Sequence, residues 1–176
     1  VAPAGVSNSF NAGPCCGRAQ RDKLDDVGFM CAVKRHLVKH VLTMTTESDV
    51  DAFAVGWSNG GYMVTLAAAT MPGLFRAVAP ISGYQYDLNA VSPAGRRVSD
   101  RRDGALAVPM FMHHSRDDPM VRFEGCCDRQ ETHCCCGISK HGPRDGTCVD
   151  AESGFKSWAR DINGCGGDGV KVTVEP

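Results

Sequence analysis

The chain is expected to fold as a single α/β domain, with a mainly parallel sheet and helices packed on both faces. Three observations predict this. Short apolar runs at residues 50–57, 77–82 and 108–113 are separated by helical or long connecting stretches, as parallel strands joined by crossovers are. The turn Gly56-Trp57-Ser58-Asn59-Gly60-Gly61, a Gly-x-Ser-x-Gly pattern, stands between the first run and a small-residue helical pattern. Finally, 176 residues with 43% apolar content supply one core.

Residues 1–24 are rich in Gly, Pro, Ala, Ser and Asn and read as irregular loop. Asp25 or Asp26 then caps a helix running to about residue 42. Its apolar positions Val27, Met30, Val33, Leu37 and Val41 recur at spacings of three and four, which predicts one buried stripe. Lys34, Arg35 and Lys39 fall off that stripe, so this is a packing helix. Cys31, inside the same pattern, reads as a small buried apolar residue. His36 and His40, one turn apart, also suit metal binding and are read as ordinary surface residues.

Residues 50–57 predict a strand and 60–71 a helix ending at Pro72-Gly73. Residues 77–82 predict a second buried strand. A polar, Arg-rich connection occupies 84–106. In it Arg96, Arg97, Arg101 and Arg102 are interrupted by Asp100 and Asp103, which reads as a solvated loop rather than a docking patch. Residues 108–113 predict a third strand. A Cys-rich insertion at 126–148 precedes a helix at 152–162 with Phe155, Trp158 and Ile162 on one face, and 170–174 alternates as a fourth strand.

A net charge of −1 argues against nucleic acid or an anionic membrane as the main partner. No run approaches the ~18 apolar residues that cross a bilayer, so no membrane partner is expected. The chain opens Val1-Ala2-Pro3, without initiator Met or signal pattern, which we read as processing or truncation of the true start. Ten cysteines are many for a cytosolic enzyme, and Cys126, Cys127, Cys134, Cys135, Cys136 and Cys148 crowd together. Disulfides in an oxidising, extracellular compartment are the simplest reading. A zinc site joining these thiolates to His133 or His141, and free reactive thiols, are the alternatives. The expectation adopted is that the chain holds neither metal nor cofactor.

The Gly-x-Ser-x-Gly turn reads as a nucleophile elbow, in which Gly56 and Gly60 make room for a bend that lifts Ser58 out of the sheet. Such a serine needs a base, and a carboxylate to orient that base; the order along the chain is Ser, then Asp or Glu, then His. Asp117 and Asp118, just beyond the third strand, compete for the acid position, with a pair of solvated turn aspartates as the plain alternative.

Four ordered blocks then resemble the secreted esterases of the polyhydroxybutyrate depolymerase and feruloyl esterase (LpqC-like) group of α/β-hydrolases. They are Phe10-Asn11-Ala12-Gly13-Pro14-Cys15-Cys16-Gly17, Asp25-Asp26-Val27-Gly28-Phe29, the elbow with Leu74-Phe75-Arg76-Ala77-Val78-Ala79-Pro80-Ile81-Ser82-Gly83 after it, and His114-Ser115-Arg116-Asp117-Asp118-Pro119-Met120-Val121. The resemblance implies a serine carboxylesterase working through an acyl-enzyme. Ser58 would be nucleophile, Asp118 the acid, and the Asn59 backbone N–H an oxyanion-hole donor. Ester substrates would be polyhydroxyalkanoates, or feruloyl and acetyl esters of polysaccharide.

The same register puts the family's early strands, with a second oxyanion donor, before residue 1, and its catalytic histidine beyond Pro176. The chain is thus expected to be a partial hydrolase domain with little triad activity of its own. His113 and His114 close the third strand. His133 and His141 follow Asp118 but precede the last helix and strand, so either would need an unusual topology to act as base. The alternatives are a serine peptidase of the same fold, which Asn59-Gly60-Gly61 disfavours, a metal-binding module at 126–148, and a non-catalytic, cysteine-rich extracellular binding protein.

Overall fold

The computed structural model describes residues 1–13, 15, 17–43, 46, 50–84, 107–125 and 150–165. The expected insertion at 126–148, the fourth strand at 170–174 and nearly all of the connection at 84–106 lie outside the described residues.

The opening loop is less irregular than its composition implies. It holds a tight turn at Val6–Asn8, with left-handed backbone at Ser7 and Asn8, and a short helix α1 (Gly17–Arg21). Helix α2 (Asp26–His40) starts where expected, with the Asp25 side chain accepting from Gly28 N–H at 2.9 Å. Asp26 is buried and accepts from the Asn11 N–H at 2.6 Å, tying the loop to the helix.

The buried side of α2 differs from the predicted stripe toward its C-terminal end. Val27 and Val38 are buried, whereas Val41 lies past the helix and is 62% exposed. Lys34 sits on the packing side: its Nζ donates to the carbonyls of Gly73 and Leu74, just past the next helix. A lysine stem can lie along apolar surface while its ammonium reaches loop carbonyls, which a hydrophobicity pattern misses. Cys31 is half-buried and packed against the core.

Strands β1 (Phe53–Trp57) and β2 (Ala77–Ile81) pair in parallel, Phe53 opposite Ala77 and Trp57 opposite Ile81. The segment predicted as a third strand lies along the other edge of β2 and bridges it in parallel twice, Val78 with Met110 and Ile81 with His113. Pro80 stands between those bridges. Lacking an N–H, it cannot donate the rung that would join them, so a continuous ladder is broken in two.

Helix α3 (Asn59–Thr70) links β1 to β2 and is buried from Gly61 to Thr70. It can be buried all round because Thr65 and Thr70 return their hydroxyls to carbonyls one turn back. Helix α4 (Ala151–Ser157), capped by Asp150, runs on into a wider π turn at Trp158–Ile162. This unit grips one residue of the third strand at both backbone atoms. Val108 N–H donates to Asn163 Oδ1 at 2.8 Å, and its carbonyl accepts from Trp158 Nε1 at 2.9 Å.

Val64, Ala68 and Ala69 of α3 pack with Trp158 and Ile162 over Val78 and Val108, burying one sheet face. The other face differs from expectation. Phe53, Val55, Trp57 and Phe111 are 67–73% exposed there, and among the described residues no helix covers them. The described architecture is a mixed helix–strand fold with a small parallel sheet, helices on one face only, compatible with the α/β class.

Candidate active site

Three chain turns, after β1, after β2 (Ser82-Gly83) and after residues 108–113, lie at the carboxyl end of the parallel strands, where α/β folds place their ligands. The first follows β1. Ser58 is exposed and holds φ 52° and ψ −121°, a backbone state that L-residues with side chains rarely adopt. The bend is fixed from both sides: Ser58 N–H donates to Ile81 O at 2.8 Å, and its carbonyl accepts from Gly61 N–H at 2.8 Å and Tyr62 N–H at 3.2 Å. Helix α3 therefore begins on the serine itself.

The glycines that permit this bend are not quite those expected. A Cβ on Gly56 would run into the Gly60 carbonyl, and one on Gly61 would stand 2.5 Å from the Gly83 oxygen. A Cβ on Gly83 would in turn meet the Ser58 carbonyl. Gly60 has open space around its Cβ position. Backbone closeness at Gly56, Gly61 and Gly83 makes the turn; Gly60 contributes its carbonyl.

Asn59 opens α3, so its backbone N–H belongs to the helix's first turn, where the macrodipole favours negative charge. Its side chain has a separate task that sequence reasoning missed. Oδ1 accepts from Phe10 N–H at 2.6 Å and Nδ2 donates to Phe10 O at 3.0 Å. A carboxamide presents one acceptor and one donor, the complement of a peptide unit, so Asn59 clamps the opening loop to the elbow. No local pattern announces a contact 49 residues away; only the nearby block at residues 10–17 hinted that this loop matters.

The third turn follows residues 108–113. Asp118 is half-buried, and its Oδ1 accepts from Met120 N–H and Val121 N–H, both at 2.9 Å. Among the described residues Oδ2 has no partner. Asp117 is exposed, with its backbone N–H on Ser115 Oγ at 3.3 Å. The two aspartates that the sequence left in competition thus differ: one carboxylate is oriented by its own turn, the other faces solvent.

His114 stabilises that turn from behind. Its Nε2 lies 2.6 Å from Val121 O, and because a carbonyl only accepts, Nε2 carries the proton. The ring meets Tyr84 edge-on, with centroids 5.3 Å apart, and Tyr84 stacks on Tyr62. His114 is therefore engaged as a structural donor. Among the described residues no imidazole is hydrogen-bonded to Ser58 or Asp118, and no group of three or more His, Cys, Asp or Glu gathers to hold a metal. His133 and His141 lie outside the described residues.

No family model matches the chain, and no solved structure matches it. Among curated proteins the chain is 27% identical over 165 residues to feruloyl esterase B from Piromyces equi, an alignment covering 93% of this chain and 25% of that protein. The chain spans about a quarter of that relative's length. The likeness is distant and supports an esterase-like relationship.

Proposed function

We propose that this chain carries the nucleophile and acid of a serine carboxylic-ester hydrolase of the α/β-hydrolase type, acting on feruloyl or related esters. The observation that carries the reading is Ser58: an exposed hydroxyl on a strained residue, between a parallel strand and the helix that starts on it. Strain of this kind costs of order 1–3 kcal/mol and persists where the surroundings over-determine it.

In the proposed reaction Ser58 Oγ attacks the ester carbonyl carbon and gives up its proton to an imidazole base. The oxyanion that forms is met by the Asn59 N–H, a donor worth about 3 kcal/mol in such transition states. Collapse breaks the bond to the alcohol oxygen, which takes the proton from the imidazolium. Water then adds to the acyl-serine by the same route, releasing the acid and restoring the hydroxyl. Asp118 Oδ2 orients the base and stabilises its cationic form.

The base itself is a histidine from outside the described residues. β1 and the third strand are two inter-strand spacings apart, about 9.6 Å, and an imidazole with its two hydrogen bonds bridges a gap of this order. Feruloyl esters are favoured over polyesters by the likeness to the Piromyces equi feruloyl esterase. The cysteine content supports an oxidising, extracellular setting.

The test is hydrolysis of methyl ferulate and p-nitrophenyl butyrate by the full-length gene product. We expect Ser58→Ala to lower turnover by about 10⁴-fold or more. Equal rates for the two proteins would reject the esterase reading and leave the non-catalytic binding protein.

A further inference from the structure

We infer that His36 and His40 form a bidentate site for a borderline divalent transition metal of the Zn²⁺, Ni²⁺ or Cu²⁺ class, on the outer face of α2 and independent of the proposed ester chemistry. The sequence offered only their spacing, His36-Leu37-Val38-Lys39-His40. The structure adds four things. Both residues are in helix, and i, i+4 spacing there puts two side chains one above the other on a single face. Both are exposed, so no packing has to be disrupted for an ion to enter.

The rings already stand close, with centroids 4.8 Å apart and planes inclined by 37°. A metal–imidazole bond of about 2.1 Å puts each ring centroid ~3.2 Å from the ion. Two rings 4.8 Å apart then subtend an angle of roughly 97° at one metal, between the cis angle of tetragonal or octahedral geometry and the tetrahedral angle. To bind, the side-chain torsions would turn a nitrogen of each ring toward the ion.

Position along the helix is the fourth point. His40 is the last residue of α2 and His36 lies one turn before it, at the end where the macrodipole is negative and favours a cation. Lys39 and Arg35, both exposed, flank the pair and oppose the added charge. Water fills the remaining coordination positions. Because a metal takes only neutral imidazole, uptake weakens on acidification.

The test is titration of the intact chain with Zn²⁺ and, separately, Ni²⁺ by calorimetry, comparing the unmodified protein with His36→Ala and His40→Ala. Each substitution breaks the chelate, and we expect the affinity at this site to fall by at least about tenfold in both. A His133→Ala/His141→Ala variant is expected to retain it, which separates the helix pair from any metal held in the Cys-rich segment. Diethylpyrocarbonate labelling mapped by mass spectrometry gives a second readout: Zn²⁺ should slow modification of His36 and His40 together. Unchanged affinity in the two single variants, or no protection of the pair, overturns the proposal.

Discussion

Gly60 and Gly61 are neighbours in the elbow, yet a methyl group has opposite consequences at each. Gly60 faces open space in the first turn of α3, so Gly60→Ala adds helix propensity and is expected to stabilise by about 0.5–1 kcal/mol. Gly61 lies against the Gly83 carbonyl, and Gly61→Ala is expected to cost about 1–3 kcal/mol and to disturb the serine turn. Urea denaturation of the two variants checks both signs. Asp150 offers a pH-dependent counterpart. Burial raises its pKa, but hydrogen bonds from the Ser153 backbone and side chain outweigh that, so the net shift is downward from 3.8. A depressed carboxylate contributes stability above its unfolded pKa and loses it as pH falls through the folded value. Asp150→Ala should therefore cost about 1 kcal/mol at pH 7 through loss of the α4 cap. The gap from the unmodified protein should close below about pH 4, as read by denaturation at several pH values.

At the scale of the element, α2 shows how far periodicity carries and where it stops. Spacing placed the helix and its capping aspartate correctly because both are local properties of the chain. It also put Val41 on the buried stripe, whereas Val38 is 3% exposed and Val41 is 62% exposed. The helix ends at His40, so Val41 no longer follows its rotation. Val38→Ala is expected to cost about 1–3 kcal/mol and Val41→Ala less than about 0.5 kcal/mol by thermal or urea unfolding. The third strand carries a comparable lesson. Its apolar run was legible, but Pro80 belongs to the strand beside it, and the missing rung appears only once the two are paired. The junction of α4 with its π turn is likewise decided by its partner: Trp158 and Asn163 both reach Val108, 50 and 55 residues earlier in the chain.

For the molecule as a whole, the uneven sheet is the dominant feature. One face is packed by α3 and the α4 unit, while Phe53, Val55, Trp57 and Phe111 stand exposed on the other. Apolar patches of this kind bind hydrophobic dyes and favour association. The chain should bind anilinonaphthalene sulfonate in its native state, and Trp57→Lys should reduce that fluorescence by about half or more, since Trp57 is among the largest exposed side chains. Far-UV circular dichroism should be unchanged, because Trp57 is 73% exposed whereas the other tryptophan, Trp158, is 2% exposed and sits in the core. Unaltered dye binding would show that this face is covered in solution.

The linear order of residues was enough to place α2, β1, α3, β2 and the serine turn, because capping, hydrophobic spacing and Gly-rich bends act over a few residues. It also singled out Ser58, Asn59 and the aspartate pair, since the proposed chemical role would leave a short local pattern. What needed the folded chain was the actual course of the backbone at each turn and the meeting of segments far apart in sequence. Asp118 differs from Asp117 because the backbone N–H groups of Met120 and Val121 converge on one carboxylate. Asn59 clamps Phe10 because α3 begins beside the opening loop. His36 and His40 become a candidate chelate because their rings actually meet. Spacing fixes direction along a helix or strand, whereas burial, hydrogen-bond partnership and ring separation depend on how the backbone turns in space and on which segments, near or far in the chain, it brings into contact.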